Sequence, residues 1–302
     1  MSKHVLLALI LFPFFTAVLA ASEPSRQAIP EIRQEPSRGR APITIPIELR
    51  DNFAFLMATV DGVDVRLKFD LGSSSALLLQ QSIVDRIKAV PTGERSKFQS
   101  IDGVFESPQF KVSRVQMGSV AFTDVTTTLD APRPGYDPGP FAQGFLGTGL
   151  LKSYEVVLDY PQRTMTLVPR AKESVSGSCT GTVVPFSQSS SKWRGEPVTE
   201  AQTDFGPVIL WWDTGTPLSA LRKSVTREAR SQSTEDTATT TRFTLGDRDF
   251  GPWQFGVWDM SLPGFDGFIG YDFFSTHVVC IDFPGSRVVI PQPSQEAPGK
   301  RR

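Results

Sequence analysis

Two short segments hold the residues with which this sequence could do chemistry, Asp70-Leu71-Gly72-Ser73 and Asp213-Thr214-Gly215-Thr216. Asp213 follows the apolar run Val208-Ile209-Leu210-Trp211-Trp212, and Asp70 follows Val65, Leu67 and Phe69 at alternate positions. A carboxylate placed directly after a buried strand sits in low dielectric, which raises its proton affinity unless hydrogen bonds offset the burial. Gly72 and Gly215 let the backbone turn tightly, and the Thr216 hydroxyl, with Ser73 in the same role, is placed to donate to the carboxylate. Brought face to face, about 3 Å apart, Asp70 and Asp213 cannot both ionise and must share one proton. One then serves as general base on a water while its protonated partner polarises a carbonyl. That is acid–base hydrolysis with no metal and no covalent intermediate.

Composition removes the competing chemistries. Lys and Arg number 31 against 32 Asp and Glu, a net charge of −1, so no excess charge draws nucleic acid or a membrane surface. The two His (His4, His277) and two Cys (Cys179, Cys280) speak against a zinc site of His/Cys type, which needs three or four such ligands together. A Ser-His-Asp or Cys-His hydrolase is excluded too, because His4 lies in a targeting segment and His277 would serve alone. No metal and no cofactor are expected.

The elements that must position the two turns are strands. Thr44–Leu49, Phe53–Val60 and Val63–Phe69 are short, alternating and bounded by turn residues such as Asp61-Gly62. Helices are expected only at Gln80–Ala89 and Arg222–Arg230. The chain is also written twice. Gly144-Phe145-Leu146-Gly147 and Val156–Pro161 match Gly267-Phe268-Ile269-Gly270 and Val279–Pro284 at an offset of 123 residues (144 to 267, 159 to 282). The two Asp turns correspond at an offset of 143 (70 to 213). Each half reads strand, D-x-G-[ST], strand and helix, hairpins, apolar-apolar-Gly, helix or turn, strand, Asp-aromatic-Pro, strand. The expected fold is all-β, two lobes packed about a pseudo-two-fold axis, with a few short helices. Asp159 and Asp282, in the Asp-aromatic-Pro turns, are read as hairpin devices.

Around this core, Lys3 and His4 precede the uncharged run Val5–Ala20, and Val18-Leu19-Ala20 offers a cleavage site, the layout of a secretory signal peptide. The expected organisation is a signal peptide 1–20, a flexible lead 21–42, a first lobe 43–170, a linker 171–180, a second lobe 181–292 and a flexible tail 293–302. An exported chain with two cysteines allows one disulfide, and Cys179 and Cys280 paired or unpaired remain equal alternatives. The expected setting is periplasmic or secreted, with no stable membrane anchor after cleavage.

These motifs resemble the pepsin/retropepsin superfamily of aspartic proteases. Lys68-Phe69-Asp70-Leu71-Gly72-Ser73-Ser74 is similar to the pepsin-type first motif and Trp212-Asp213-Thr214-Gly215-Thr216 to the second. Phe145-Leu146-Gly147 and Phe268-Ile269-Gly270 resemble the paired hydrophobic-hydrophobic-Gly elements. The likeness covers residues 43–292, with lobes nearer in size to fused retropepsin units than to a full pepsin. It implies acid-protease-like β-barrel lobes, peptide-bond hydrolysis in a cleft between them, a polypeptide substrate, and a monomer that is an internal pseudo-dimer. Asp70 and Asp213 would be catalytic, with Gly72, Ser73, Thr214, Gly215 and Thr216 supporting their turns. A hairpin flap would span Phe98–Phe105 with Ile101, Asp102 and Gly103 at its tip.

Two departures bear on activity. Position 71 is Leu where the family has Thr or Ser, which removes one of two reciprocal bonds between the turns, worth roughly 0.5–1.5 kcal/mol. No Tyr precedes Tyr136, so the pepsin flap tyrosine is missing. Two readings follow. One is an aspartic-type endopeptidase, and the other a catalytically weakened or inactive relative that binds a peptide or protein in the same cleft.

Overall fold

The computed structural model describes residues 33–34, 41–100, 103–131, 140–170, 177–186, 196–226, 236–260 and 264–292. The expected signal peptide, most of the lead, Ile101, Asp102 and the tail 293–302 lie outside these residues. The described chain is mostly strand with a few short helices. Among the described residues, no helix is long and apolar enough to cross a membrane.

Strand formation follows side-chain alternation. In Val63–Phe69, Val65, Leu67 and Phe69 are buried, while Asp64, Arg66 and Lys68 take the other face. Phe53–Val60 pairs with it antiparallel, from Val60 opposite Val63 to Phe55 opposite Lys68. The connecting Asp61-Gly62 has φ of 44° and 83°, the left-handed pair that matches strand twist in a tight hairpin.

Three sheets result. The first has nine strands, in spatial order Arg33–Gln34, Val120–Leu129, Leu77–Leu79, Gly144–Leu146, Val63–Phe69, Phe53–Val60, Gly103–Met117 and Val90–Ser100, with Glu48–Arg50 also on Phe53–Val60. An eight-stranded sheet runs Thr237–Thr240, Trp253–Trp258, Ala220–Arg222, Gly267–Ile269, Gly206–Trp212, Val198–Thr203, Phe243–Leu245, Arg248–Asp249. A six-stranded sheet takes strands from both parts of the chain: Thr182–Pro185, Arg287–Ile290, Val279–Asp282, Tyr154–Asp159, Thr164–Pro169 and Ile43–Pro46. One apolar cluster runs through all three, holding Leu67, Phe69, Leu146, Tyr154, Trp212, Phe273 and Ile281.

Some expectations are corrected. The lead is not wholly without structure, since Arg33–Gln34 pairs with Thr123 and Phe122. An edge strand bonds through its backbone and needs no apolar pattern. The run Thr44–Leu49 splits in two: Ile43–Pro46 joins the six-stranded sheet and Glu48–Arg50 the nine-stranded one. The break falls after Pro46, which has no N–H, and the Ile47 N–H turns to the Arg163 carbonyl at 2.9 Å. The first helix is Gln81–Ile87, stopped by Lys88 at φ 54°. The second is Lys223–Thr226, with 227–235 outside the described residues. Gly147 is followed by the 3-10 turn Thr148–Leu150 and Gly270 by the helix Tyr271–Phe274.

Cys179 and Cys280 are disulfide-bonded, with Cα atoms 6.5 Å apart. Beside them the buried Glu155 carboxylate accepts from Ser178 N (2.7 Å), Ser178 Oγ (3.0 Å) and Cys179 N (3.3 Å). Asp159 accepts from Gln162 N within its turn. Asp282 accepts from Gly285 N in the same way and is ion-paired to Arg170 (3.2 Å) and Arg287 (3.1 Å).

Candidate active site

Each Asp turn is delivered by the same local construction. The strand Val63–Phe69 ends at Phe69, opposite Leu146 of the parallel strand Gly144–Leu146, and the Asp70 N–H then donates to the Leu146 carbonyl at 2.9 Å. Likewise Gly206–Trp212 ends opposite Ile269 of the parallel strand Gly267–Ile269, and Asp213 N–H donates to the Ile269 carbonyl at 3.0 Å. Gly147 and Gly270 come next. A Cβ at Gly147 would lie 2.3 Å from the Ser75 carbonyl oxygen, and one at Gly270 2.4 Å from that of Leu218. Each glycine therefore lets the loop beyond an Asp turn lie directly on the end of a strand.

The two carboxylates face each other. Asp70 Oδ1 accepts from Gly72 N at 2.9 Å, and Asp213 Oδ1 from Gly215 N at 2.7 Å, so each is fixed by its own turn. A Cβ on Gly72 would stand 2.8 Å from the Asp213 carboxyl carbon, and one on Gly215 would stand 2.6 Å from Asp70 Oδ1. Only hydrogen at both positions allows this approach. The Asp213 carboxyl is pushed well above the usual range, first by burial and then by the neighbouring charge of Asp70.

One hydroxyl joins the turns. Thr214, buried at 1 % exposure, donates from its hydroxyl to the Phe69 carbonyl at 2.9 Å and accepts from Leu71 N at 3.0 Å. Leu71 has no hydroxyl to return the bond, and its side chain is fully buried in the core. The connection between the turns is one-sided.

Thr216 and Ser73 are placed otherwise than their spacing suggests. The Thr216 hydroxyl donates to the Leu218 carbonyl at 3.0 Å, closing its own loop instead of reaching the carboxylate. Among the described residues the Ser73 hydroxyl bonds neither carboxylate. It lies beside Gly147, while the Ser73 carbonyl accepts from Thr148 N and Oγ1. For Thr216, the backbone beyond the turn takes the hydroxyl that the spacing would give to the carboxylate.

Two charged groups near the pair went unread in the sequence. Lys68 Nζ donates to the Gly215 carbonyl at 3.2 Å, and its ammonium sits 3.4 Å from the centre of the Phe53 ring. Strand alternation does put Lys68 on the face of Asp70, so a signal existed. Glu196 is buried and pushed up to about 7 by that burial, against the opposing charge of Lys152 and a bond from Ser74. It comes from a distant segment, and no spacing pointed to it.

Of the expected flap, Val90–Ser100 and Gly103–Met117 form a hairpin in which Phe98 opposes Phe105, their rings stacked at 5.1 Å. Gly103 opposes Ser100, and the tip residues Ile101 and Asp102 are outside the described residues. His277 stacks on Phe273 at 4.3 Å as a packing residue. Among the described residues, the group with metal-ligand spacing is Glu155, Cys179 and Cys280, whose sulfurs are committed to the disulfide.

Residues 56–149, which contain the first Asp turn, match the family model described as aspartyl protease. The crystal structure of an aspartic proteinase from Irpex lacteus superposes on 84% of this chain and 98% of its own, with a TM-score of 0.59 and 15% identity. The fold is that of the aspartic protease superfamily. No curated protein sequence matches the chain. Within this superfamily fold, Leu71 and the displaced hydroxyls of Ser73 and Thr216 are the local features that set the present site apart from its expected form.

Proposed function

We propose that the protein is an aspartic-type endopeptidase, with Asp70 and Asp213 as the reacting pair in a cleft between two lobes. The observation that carries this reading is the mutual approach of the carboxylates across Gly72 and Gly215. Asp213, with its raised proton affinity, holds the shared proton, and Asp70 is the base. A water between them gives a proton to Asp70 as its oxygen attacks the peptide carbonyl carbon. Asp213 donates its hydrogen to the carbonyl oxygen, forming a neutral tetrahedral diol. As the diol collapses, the C–N bond breaks, nitrogen takes the proton from Asp70, and a diol hydroxyl returns one to Asp213. No metal or cofactor enters these steps. The hairpin through Phe98 and Phe105 would close over the substrate. The Cys179–Cys280 disulfide supports an exported protein working in an oxidising compartment.

Leu71 favours a second reading, a relative that binds peptide without cleaving it, because it leaves the Thr214 hydroxyl without a reciprocal hydroxyl from the first turn. Incubating the protein with an unfolded polypeptide across acidic to neutral pH separates the two. Cleavage by the wild type, and its loss in Asp70→Asn and Asp213→Asn, is expected. Peptide binding retained in both variants, with no cleavage by any of the three proteins, would favour the binding reading.

A further inference from the structure

Lysine is rarely buried unless something holds its charge. Lys68 is half-buried two residues before Asp70, so the strand's alternation sends both side chains to the same face. Its ammonium reaches across to the second Asp turn, where it donates to the Gly215 carbonyl at 3.2 Å. Aromatic faces enclose the rest of the charge: Phe53 at 3.4 Å on the neighbouring strand, and Phe145 at 5.6 Å, directly opposite Lys68 in the parallel ladder. The cation therefore bonds a carbonyl, and acts on the carboxylates through space.

We propose that Lys68 is a positioning residue for the carboxylate pair, a fixed cation that tethers the Asp213 turn to the Asp70 strand and makes the pair give up its protons at lower pH than it otherwise would. This rests on the reading of Asp70 and Asp213 as the reacting pair. The charged and titratable groups around Lys68 are Asp70 just past the end of its own strand, Asp213 on the facing turn, and Asp130 beyond the strand Val120–Leu129. Around the pair itself, Glu196 faces Asp70, while Tyr160, with Tyr271 beside it, faces Asp213. Apart from Lys68, each of these is an acid or a phenol; the cation Lys152 is set against Glu196, and Lys68 is the cation that acts on Asp213 directly. Burial lowers its own pKa, and the charges of Asp70, Asp213 and Asp130 oppose that fall.

The sign follows directly. A nearby cation favours the ionised carboxylates, so both proton-loss steps of the pair lie lower with Lys68 than without it. Aspartate labelled with 13C at Cγ in the full chain lets NMR follow the titration of the pair whether or not the protein cleaves anything. Lys68→Met, which removes charge and tether, and Lys68→Gln, which keeps a donor for Gly215 but no charge, should both raise the titration by about one pH unit. Lys68→Arg should restore it. Both limbs of any hydrolysis profile should move upward by the same amount in Met and Gln, with kcat falling further in Met. Identical titrations in wild type, Gln and Arg would overturn the proposal. If the wild type hydrolyses nothing while its carboxyl titration still moves with Lys68→Gln, the endopeptidase reading fails and the action of Lys68 on the pair stands. A Lys68→Met that does not fold leaves the Gln and Arg comparison to decide.

Discussion

At the residue scale, the site concentrates its cost on Asp213 and its support on Thr214. A carboxyl whose folded pKa is raised binds its proton more firmly in the native state than in the unfolded chain. Between the unfolded and folded values, the native state therefore holds more protons, and stability falls as pH rises through that window. Asp213→Asn removes this cost. The variant should be more stable than wild type at neutral pH, by roughly 1 kcal/mol, the usual scale of stability–activity exchange. The gain should fade at pH 3, where the carboxyl is protonated in both states. Thermal melts at the two pH values test it, and equal differences at both would refute the argument. Thr214→Ala acts in the opposite direction. It leaves the buried Leu71 N–H and Phe69 carbonyl without the hydroxyl that joins them, a loss of roughly 1–3 kcal/mol. Thr214→Ser should recover most of it, and an unchanged denaturation midpoint in the alanine variant would show that water replaces the hydroxyl. Types and spacing made the two aspartates, the glycines and Thr214 legible in the chain. The aims of Ser73 and Thr216 were not legible, because a hydroxyl beside a turn has several carbonyls in reach and only the packed loop selects one.

At the element scale, the long hairpin could be read and the short strands could not. Phe53–Val60 and Val63–Phe69 stand where alternation and Asp61-Gly62 place them. Gly144–Leu146 and Gly267–Ile269 are only three residues each, too short to show a period, and their parallel placement depends on partners far away in sequence. What marked them was the glycine that follows. The 2.3 Å approach of a Gly147 Cβ to the Ser75 carbonyl oxygen, and 2.6 Å to that of Ser73, means that a methyl group here must push back the loop that continues from Asp70. Gly147→Ala is expected to destabilise by about 1–3 kcal/mol through overpacking. It should also slow the proposed hydrolysis, although it touches neither carboxylate. Normal stability in a urea titration, measured at an unchanged m-value, would mean that the loop yields without strain.

At the scale of the whole molecule, the six-stranded sheet joins what the other two sheets keep apart. Its middle ladder sets Val156 against Ile281, Val157 against Cys280 and Leu158 against Val279. Val157 and Cys280 stand at the same 123-residue offset as the two apolar-apolar-Gly elements. An antiparallel ladder has a local two-fold axis through each opposed pair, so this register places equivalent residues of the two sequence blocks on one axis. The disulfide fastens the chain close to that axis. Cys280 is fully buried in the middle ladder, and Cys179 lies where Glu155 of the facing strand holds Ser178 and Cys179 by their N–H groups. The bond closes a sequence separation of 101 residues, which includes the second Asp turn. Removing a cross-link over a loop of that size releases unfolded-state entropy worth about 2–4 kcal/mol. Cys179→Ala with Cys280→Ala should lower the urea midpoint accordingly, and reducing the wild type should lower it by a similar amount. If the Glu155 bonds hold the segment without the disulfide, the native carboxyl titration of the Asp pair persists in the folded double variant. An unchanged midpoint would mean instead that the unfolded chain is already confined near this closure, and that the sheet register alone holds the two parts together.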